Sequence, residues 1–445
     1  MAQAEAMGSG GGTHCLALDV TEPSASGRLA AVGVARRRRR SVGLLVLAGL
    51  VAACSGGSDG SGGSDEQGAA DESAAAAEEP EEFDGGDFYA APDPVPDDHH
   101  GTLVRYQPVD DLDVNRATAW RIMYVSESLE GEPIVVTGTA LVPPGEAPTG
   151  GRPVLTIAHG TSGIADECAP SRHPEATELS LMGPFVDAGY LVVLSDYEGL
   201  GTPGRHPYLV GESEGRGVLD GALAARQLPD ADAGDQLAIF GYSQGGHGAL
   251  FAGQLAAEWA PDYELVGTVA GAPATELPVI FGAAGSLPIA GFLYMIIAGF
   301  AEAYPEADPS LVLTPAGEEE LPQVDRGCVG DVIRHFAGTP NAELLKPGLA
   351  DVQPWADLEV ANDPGRVATD SSILIVHSAA DDVVPATLSQ VLAQRMCDEG
   401  QVVERRVYDK GQDHVEAVPD AVGDAFEWLQ QRAAGDEPVS TCAAG

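Results

Sequence analysis

The sequence predicts an α/β fold: a mainly parallel sheet with helices on both faces and one inserted helical cap. Three observations predict it. Short runs of Val, Ile and Leu recur with apolar residues on consecutive positions, as strands buried on both faces require. Segments of helical character separate these runs, and such alternation implies parallel strands joined by crossover helices. Between "LVGTVAGAP" and "ILIVHSAADD" the alternation stops for about 100 residues, too long for a loop and economically read as an inserted helical subdomain.

In chain order, the first element is an address. Five arginines at 36–40 precede "SVGLLVLAGLVAAC", a charged region and short apolar run that read as a secretory signal. A membrane-spanning helix would need roughly 20 apolar residues, and this run is shorter. Val51-Ala52-Ala53-Cys54 matches a bacterial lipobox, in which the cysteine is diacylated and becomes the new N-terminus. Residues 1–53 are therefore expected to be leader and signal peptide. The product is expected to be exported, then lipid-anchored through Cys54 to the outer face of the bacterial membrane, or released after plain cleavage. Both Sec and Tat export fit the arginine run, and the true start codon can lie downstream of Met1. Residues 54–98 are mostly Gly, Ser, Ala, Asp, Glu and Pro, with nothing to bury before Phe83, the composition of a disordered acidic linker.

Residues 99–445 then form the expected catalytic domain. Its strands read as "PIVVTGTALVP" (133–143), "PVLTIAHG" (153–160), "YLVVLSDYEG" (190–199), "QLAIFGYS" (236–243), "LVGTVAGAP" (265–273), "ILIVHSAADD" (373–382) and "VVERRVYDKG" (402–411). Helical patterns cover 215–228, 246–260 and 386–397, and the cap occupies about 276–366.

Composition excludes some partners. Lys and Arg number 23 against 68 Asp and Glu, a formal charge of −45, so the chain repels nucleic acid and anionic surfaces. Neutral or cationic substrates fit better. Beyond Cys15 and Cys54, four cysteines remain: Cys168, Cys328, Cys397 and Cys442. An even number in an exported chain predicts two disulfides, with three pairings open. None of these cysteines has the short spacing of a metal site, and neither metal nor cofactor is expected.

Gly241-Tyr242-Ser243-Gln244-Gly245 is a G-x-S-x-G pattern between a buried strand and a helix, the context of a nucleophile elbow. The turn pushes the serine hydroxyl out of the sheet, and the backbone N–H of Gln244 opens the following helix where an oxyanion would form. A serine nucleophile needs a base oriented by a carboxylate, in the order Ser, acid, His. Asp381 ends the strand before the last one, and the "DVVP" that follows leaves Asp382 to the surface. His414 lies in the loop after the final strand and is the only histidine beyond the acid. Asp413 adjoins it, but consecutive side chains rarely face one another. His377 reads as a strand residue, His335 as a cap residue, and His247 as packing beneath the site. A second oxyanion donor is the backbone N–H of Thr161 in "TIAHGTSG" (156–163), where Gly160 permits close approach and His159 is structural.

Together, "HGTSGIADECAPS" (159–171), "SDYEGLGTPGRHPYL" (195–209), "GYSQGGHGAL" (241–250) and "YELVGTVAGAPATEL" (263–277) resemble the secretory lipase family of α/β hydrolases. The resemblance covers roughly residues 100–445. It implies an α/β-hydrolase fold, a helical cap and cofactor-independent hydrolysis of lipid or other carboxylic esters. It implies Ser243, Asp381 and His414 as the triad and Thr161 and Gln244 as the oxyanion hole. It also implies pairing of Cys168 with Cys328 and of Cys397 with Cys442. The lipid anchor and acidic tether depart from the family pattern. Phe292, Leu293, Tyr294, Met295, Ile296 and Ile297 either line an acyl-binding tunnel or form cap core. A serine peptidase or acyltransferase remains the alternative, because a triad alone does not choose between amide and ester or between water and another acceptor.

Overall fold

A computed structural model of the chain describes residues 80–284 and 290–442. The leader, the lipobox with Cys54 and most of the acidic linker lie outside the described residues. The strands are β1 (Glu81–Glu82), β2 (Leu103–Pro108), β3 (Thr118–Glu127), β4 (Pro133–Val142), β5 (Arg152–Ala158), β6 (Leu191–Ser195), β7 (Ala233–Tyr242), β8 (Glu264–Gly271), β9 (Ile373–Ser378) and β10 (Val403–Tyr408). They form one sheet in the order β1-β2-β3-β4-β6-β5-β7-β8-β9-β10. Pairing from β6 through β10 is parallel, whereas β2, β3, β4 and β6 pair antiparallel.

The seven strands read from the sequence are β4 to β10. Strands β1 to β3 were not legible, because Arg105, Gln107, Trp120 and Arg121 interrupt the apolar runs of β2 and β3 at partly exposed positions. The linker expected to reach residue 98 also ends earlier. The described residues begin at Pro80, and Phe88 and Tyr89 are buried. Arg105 lies over the rings of Phe83 and Phe88, Arg172 lies over Tyr89, and the Tyr89 hydroxyl meets Ser171 Oγ at 2.8 Å. Three aromatic side chains in an acidic, Gly-rich stretch supply the apolar area that composition alone conceals.

The helices are α1 (Gly183–Asp187), α2 (Gly211–Ala225), α3 (Gln244–Trp259), α4 (Leu277–Ala283), α5 (Ala290–Ala303), α6 (Pro315–Glu320), α7 (Val329–Phe336), α8 (Asn341–Leu344), α9 (Trp355–Ala361), α10 (Ala386–Asp398) and α11 (Val418–Ala433). Strand β6 shows why the sheet is covered on both sides. Leu191 and Val193 share a core with Val218 and Leu219 of α2 and Ala249 and Ala252 of α3. Val192 and Leu194 point the other way, into a core with Phe185 of α1 and Trp428 and Leu429 of α11. The two-residue period of a strand divides one apolar run between two cores, each buried side chain contributing roughly 1.5–3 kcal/mol.

Helices α4 to α9 all lie between β8 and β9 and share a core with Ile164, Tyr208, Leu209 and Val210. Leu293, Tyr294, Met295, Ile296 and Ile297 are buried there with Val332, Phe336 and Trp355. Leu293 to Ile297 are thus cap core, while the partly buried Phe292 lines the cavity at Ser243. The two stems of the insertion meet at Arg395 of α10, whose guanidinium contacts Glu276 Oε1 at 2.6 Å and Asp363 Oδ2 at 3.1 Å. Disulfides join Cys168 to Cys328, tying the cap to the loop after β5, and Cys397 to Cys442, tying α10 to the C-terminal segment.

Candidate active site

The site begins where β7 turns into α3. Ser243 sits at φ 60° and ψ −120°, a conformation in which a non-glycine residue persists only when its surroundings hold it. Those surroundings are visible. The Ser243 N–H donates to the Gly271 carbonyl at 2.8 Å, and the Ser243 carbonyl accepts from the N–H groups of Ala274 and His247 at 3.2 Å. The flanking glycines are obligatory: a Cβ on Gly241 would lie 1.9 Å from the Gly245 carbonyl oxygen, and one on Gly245 1.9 Å from that of Ala158. Ser243 lines a cavity of about 780 Å³ together with His159, Gly160, Thr161, Glu178, Phe292 and His414.

His414 enters from the loop after β10 and Asp381 from the loop after β9. His414 Nδ1 lies 2.7 Å from Asp381 Oδ2. Asp381 Oδ1 accepts from the backbone N–H groups of Val383 at 2.9 Å and Val384 at 2.7 Å, and its side chain is fully buried. Burial opposes ionisation of this carboxyl, but hydrogen bonds from His377 and His414 and from the backbone outweigh it and hold its pKa well below the usual carboxylate range. An ionised carboxylate only accepts, so the proton of a neutral His414 ring resides on Nδ1 and Nε2 is left as a base. Asp382 is exposed and accepts from the backbone N–H of His414 at 3.2 Å. Asp413 turns to its own loop, accepting from the N–H groups of Val415 and Glu416.

The expected oxyanion donors come from two loops, Gln244 from the turn after β7 and Thr161 from the loop after β5. Gln244 is the first residue of α3, where the leading N–H groups lack intrahelical partners. Its side chain turns inward, Nε2 donating to Glu214 Oε1 and His206 Nε2, both at 2.8 Å. Thr161 lines the cavity, and its hydroxyl meets that of Tyr208 at 2.8 Å. The residue preceding it is held at both ends: the Gly160 N–H donates to Glu178 Oε1 at 2.9 Å, and His159 Nδ1 approaches the Gly160 carbonyl at 2.6 Å.

His377 is buried and donates from Nε2 to the Val384 carbonyl, while His335 pairs with Glu320 on the surface of the cap. His247 lies beneath the elbow, its Nδ1 2.6 Å from Glu214 Oε2 and its Nε2 2.8 Å from the Asn362 carbonyl, with both side chains fully buried. Burial disfavours charge on His247, yet the Glu214 carboxylate and these hydrogen bonds raise its pKa. Burial lowers the pKa of His206 to about 4, so its neutral ring accepts from Gln244. Sequence reasoning missed Glu214, His206 and Glu178. Glu214 left one signal, a carboxylate that with Asp220 stands among the glycines, alanines and aliphatic residues buried along α2. Among the described residues, no three His, Cys, Asp or Glu side chains cluster as a metal-ligand set.

Comparison with known proteins places this geometry in context. The family model described as "Secretory lipase" matches residues 174–441. Lipase 4 of Candida albicans is 25% identical over 349 residues, covering 73% of this chain and 74% of that protein. A Mycobacterium tuberculosis protein described as "Probable inactive lipase" is 25% identical over 356 residues, covering 75% and 79% respectively. Among solved structures, Candida antarctica lipase A superposes with a TM-score of 0.69 at 22% identity, covering 80% of this chain and 87% of that one. At that identity the match shows the α/β-hydrolase fold.

Proposed function

The chain belongs to the secretory lipase family and is a carboxylic ester hydrolase, and from that premise we propose that Ser243, His414 and Asp381 carry the reaction. His414 Nε2 takes the Ser243 proton as Oγ attacks the ester carbonyl, and Asp381 holds the ring and offsets the imidazolium charge. The N–H groups of Thr161 and Gln244 bind the tetrahedral oxyanion. The alcohol leaves with the proton from His414; water, activated by the same ring, then releases the acid from the acyl-enzyme. The observation that carries this reading is the 2.7 Å His414–Asp381 contact in a ring that shares its cavity with a backbone-strained Ser243.

The substrate is a lipid or other carboxylic ester, a class supported by relatives named as lipases. The protein is exported, and Cys54 carries the lipid that holds it to the membrane, with the acidic segment after it as tether; the Val51–Cys54 pattern supports this. Initial rates on p-nitrophenyl esters from acetate to palmitate, for the wild type and Ser243→Ala, test the assignment. The variant is expected to lose at least about 10⁴-fold in kcat/KM with an unchanged fold. A rate maximum on long chains makes the protein a lipase and one on short chains an esterase. Equal rates in wild type and variant would refute the role of Ser243.

A further inference from the structure

The residues that line the cavity include two carboxylates, Glu167 and Glu178, and, among the described residues, no lysine or arginine. Glu178 is the one placed against the reaction centre. Its Oε1 accepts from the Gly160 N–H at 2.9 Å. Gly160 itself sits between that carboxylate and the elbow, since a Cβ there would lie 3.3 Å from Glu178 Oε1 and 3.4 Å from the Tyr242 carbonyl oxygen. Tyr242 precedes Ser243, and Thr161 follows Gly160. The carboxylate is therefore anchored about one residue's width from the nucleophile turn, at a position set by the backbone rather than by a mobile side-chain contact.

We propose that Glu178 determines specificity by disfavouring esters whose acyl group carries a negative charge relative to neutral and cationic esters. The inference rests on the Ser243 reading of the site. An anionic acyl group drawn into this cavity meets a fixed like charge and no cationic side chain of Lys or Arg to offset it. At such separations, with partial access to water, a single charge pair changes affinity by about tenfold. A neutral acyl chain meets the same wall without that repulsion, and its contacts with Phe292, Ile333 and Val329 are unaffected.

The test measures kcat/KM of the full-length protein on p-nitrophenyl butyrate and on the monoanionic p-nitrophenyl hydrogen glutarate, and takes their ratio. The wild type is expected to prefer the neutral ester. Glu178→Gln, which keeps an acceptor for the Gly160 N–H, is expected to narrow that ratio about tenfold through KM for the anionic ester. Glu175→Gln removes the same charge from an exposed position outside the cavity and is expected to leave the ratio unchanged. Equal ratios in wild type and Glu178→Gln would overturn the proposal, as would equal narrowing by Glu175→Gln, which would assign the effect to the net charge of the whole protein. Should Glu178→Gln fold poorly, the wild-type ratio decides alone: no preference for the neutral ester overturns the proposal. A wild type inactive on both esters overturns the Ser243 reading and this inference with it.

Discussion

His414 Nδ1 lies 2.7 Å from Asp381 Oδ2, although the two residues stand in loops that follow different strands. The contact exists because β9 and β10 are parallel neighbours, with Ser378 paired to Tyr408 at their ends. Parallel pairing brings both C-terminal loops to the same edge of the sheet, beside the turn after β7.

Replacing Asp381 by Asn removes the acceptor that sets the His414 tautomer. The kcat/KM on p-nitrophenyl butyrate is expected to fall by about 10⁴-fold. Stability carries a second signature. The folded-state pKa of Asp381 is depressed, so its contribution is present above the ordinary carboxylate pKa, about 4, and is lost as pH falls through the folded value. The difference in unfolding free energy between wild type and Asp381→Asn should be largest near pH 7 and shrink below pH ~4, as read from urea melts across that range.

Glu214 accepts from Gln244, His247 and the Leu209 N–H in a fully buried position. Glu214→Ala leaves these donors unsatisfied and is expected to cost about 3–5 kcal/mol in a urea melt. Because Gln244 heads α3, kcat should fall more than KM rises. For His247, whose folded pKa is raised, the stabilisation is complete below its unfolded pKa of about 6.5 and is lost as pH rises through the folded value.

The two disulfides should differ in their effects. The Cys168–Cys328 bond spans 160 residues and lines the cavity, whereas Cys397–Cys442 spans 45. On chain entropy, Cys328→Ser is expected to lower stability more than Cys442→Ser, with losses of order 2–5 kcal/mol. Cys328→Ser should also raise KM, since the cap loses its tie to the segment that carries Thr161. Melting curves and Michaelis constants of the two single variants decide this.

Cys54→Ser in the full-length protein is expected to abolish incorporation of labelled fatty acid and shift the protein from the membrane fraction to the medium. Unchanged membrane association would refute the lipid anchor.

The cap stems show why some of this was hidden from the sequence. Glu276 and Arg395 are 119 residues apart yet only 2.6 Å separates their side-chain atoms; no local pattern announces such a pair. The run around α5 is apolar on nearly every face, so its sequence fits a tunnel lining as well as a packed helix. Only their neighbours in space, Val332, Phe336 and Trp355, assign Leu293 to Ile297 to the cap core, and only the cavity beside Ser243 claims Phe292.

By itself the sequence determined the strands β4 to β10, the elbow at Ser243 and the choice of His414, because each depends on residues within one turn or strand, or on order along the chain. The tertiary structure alone decided that the Asp381 side chain meets the His414 ring while Asp382 meets only its backbone N–H. It alone placed Glu178 against Gly160, set Glu214 beneath the elbow, and put Phe88 and Tyr89 into the core. These are contacts between segments distant in sequence. Local periodicity records which face of an element is buried; which side chain waits there is fixed only when the sheet brings its loops together.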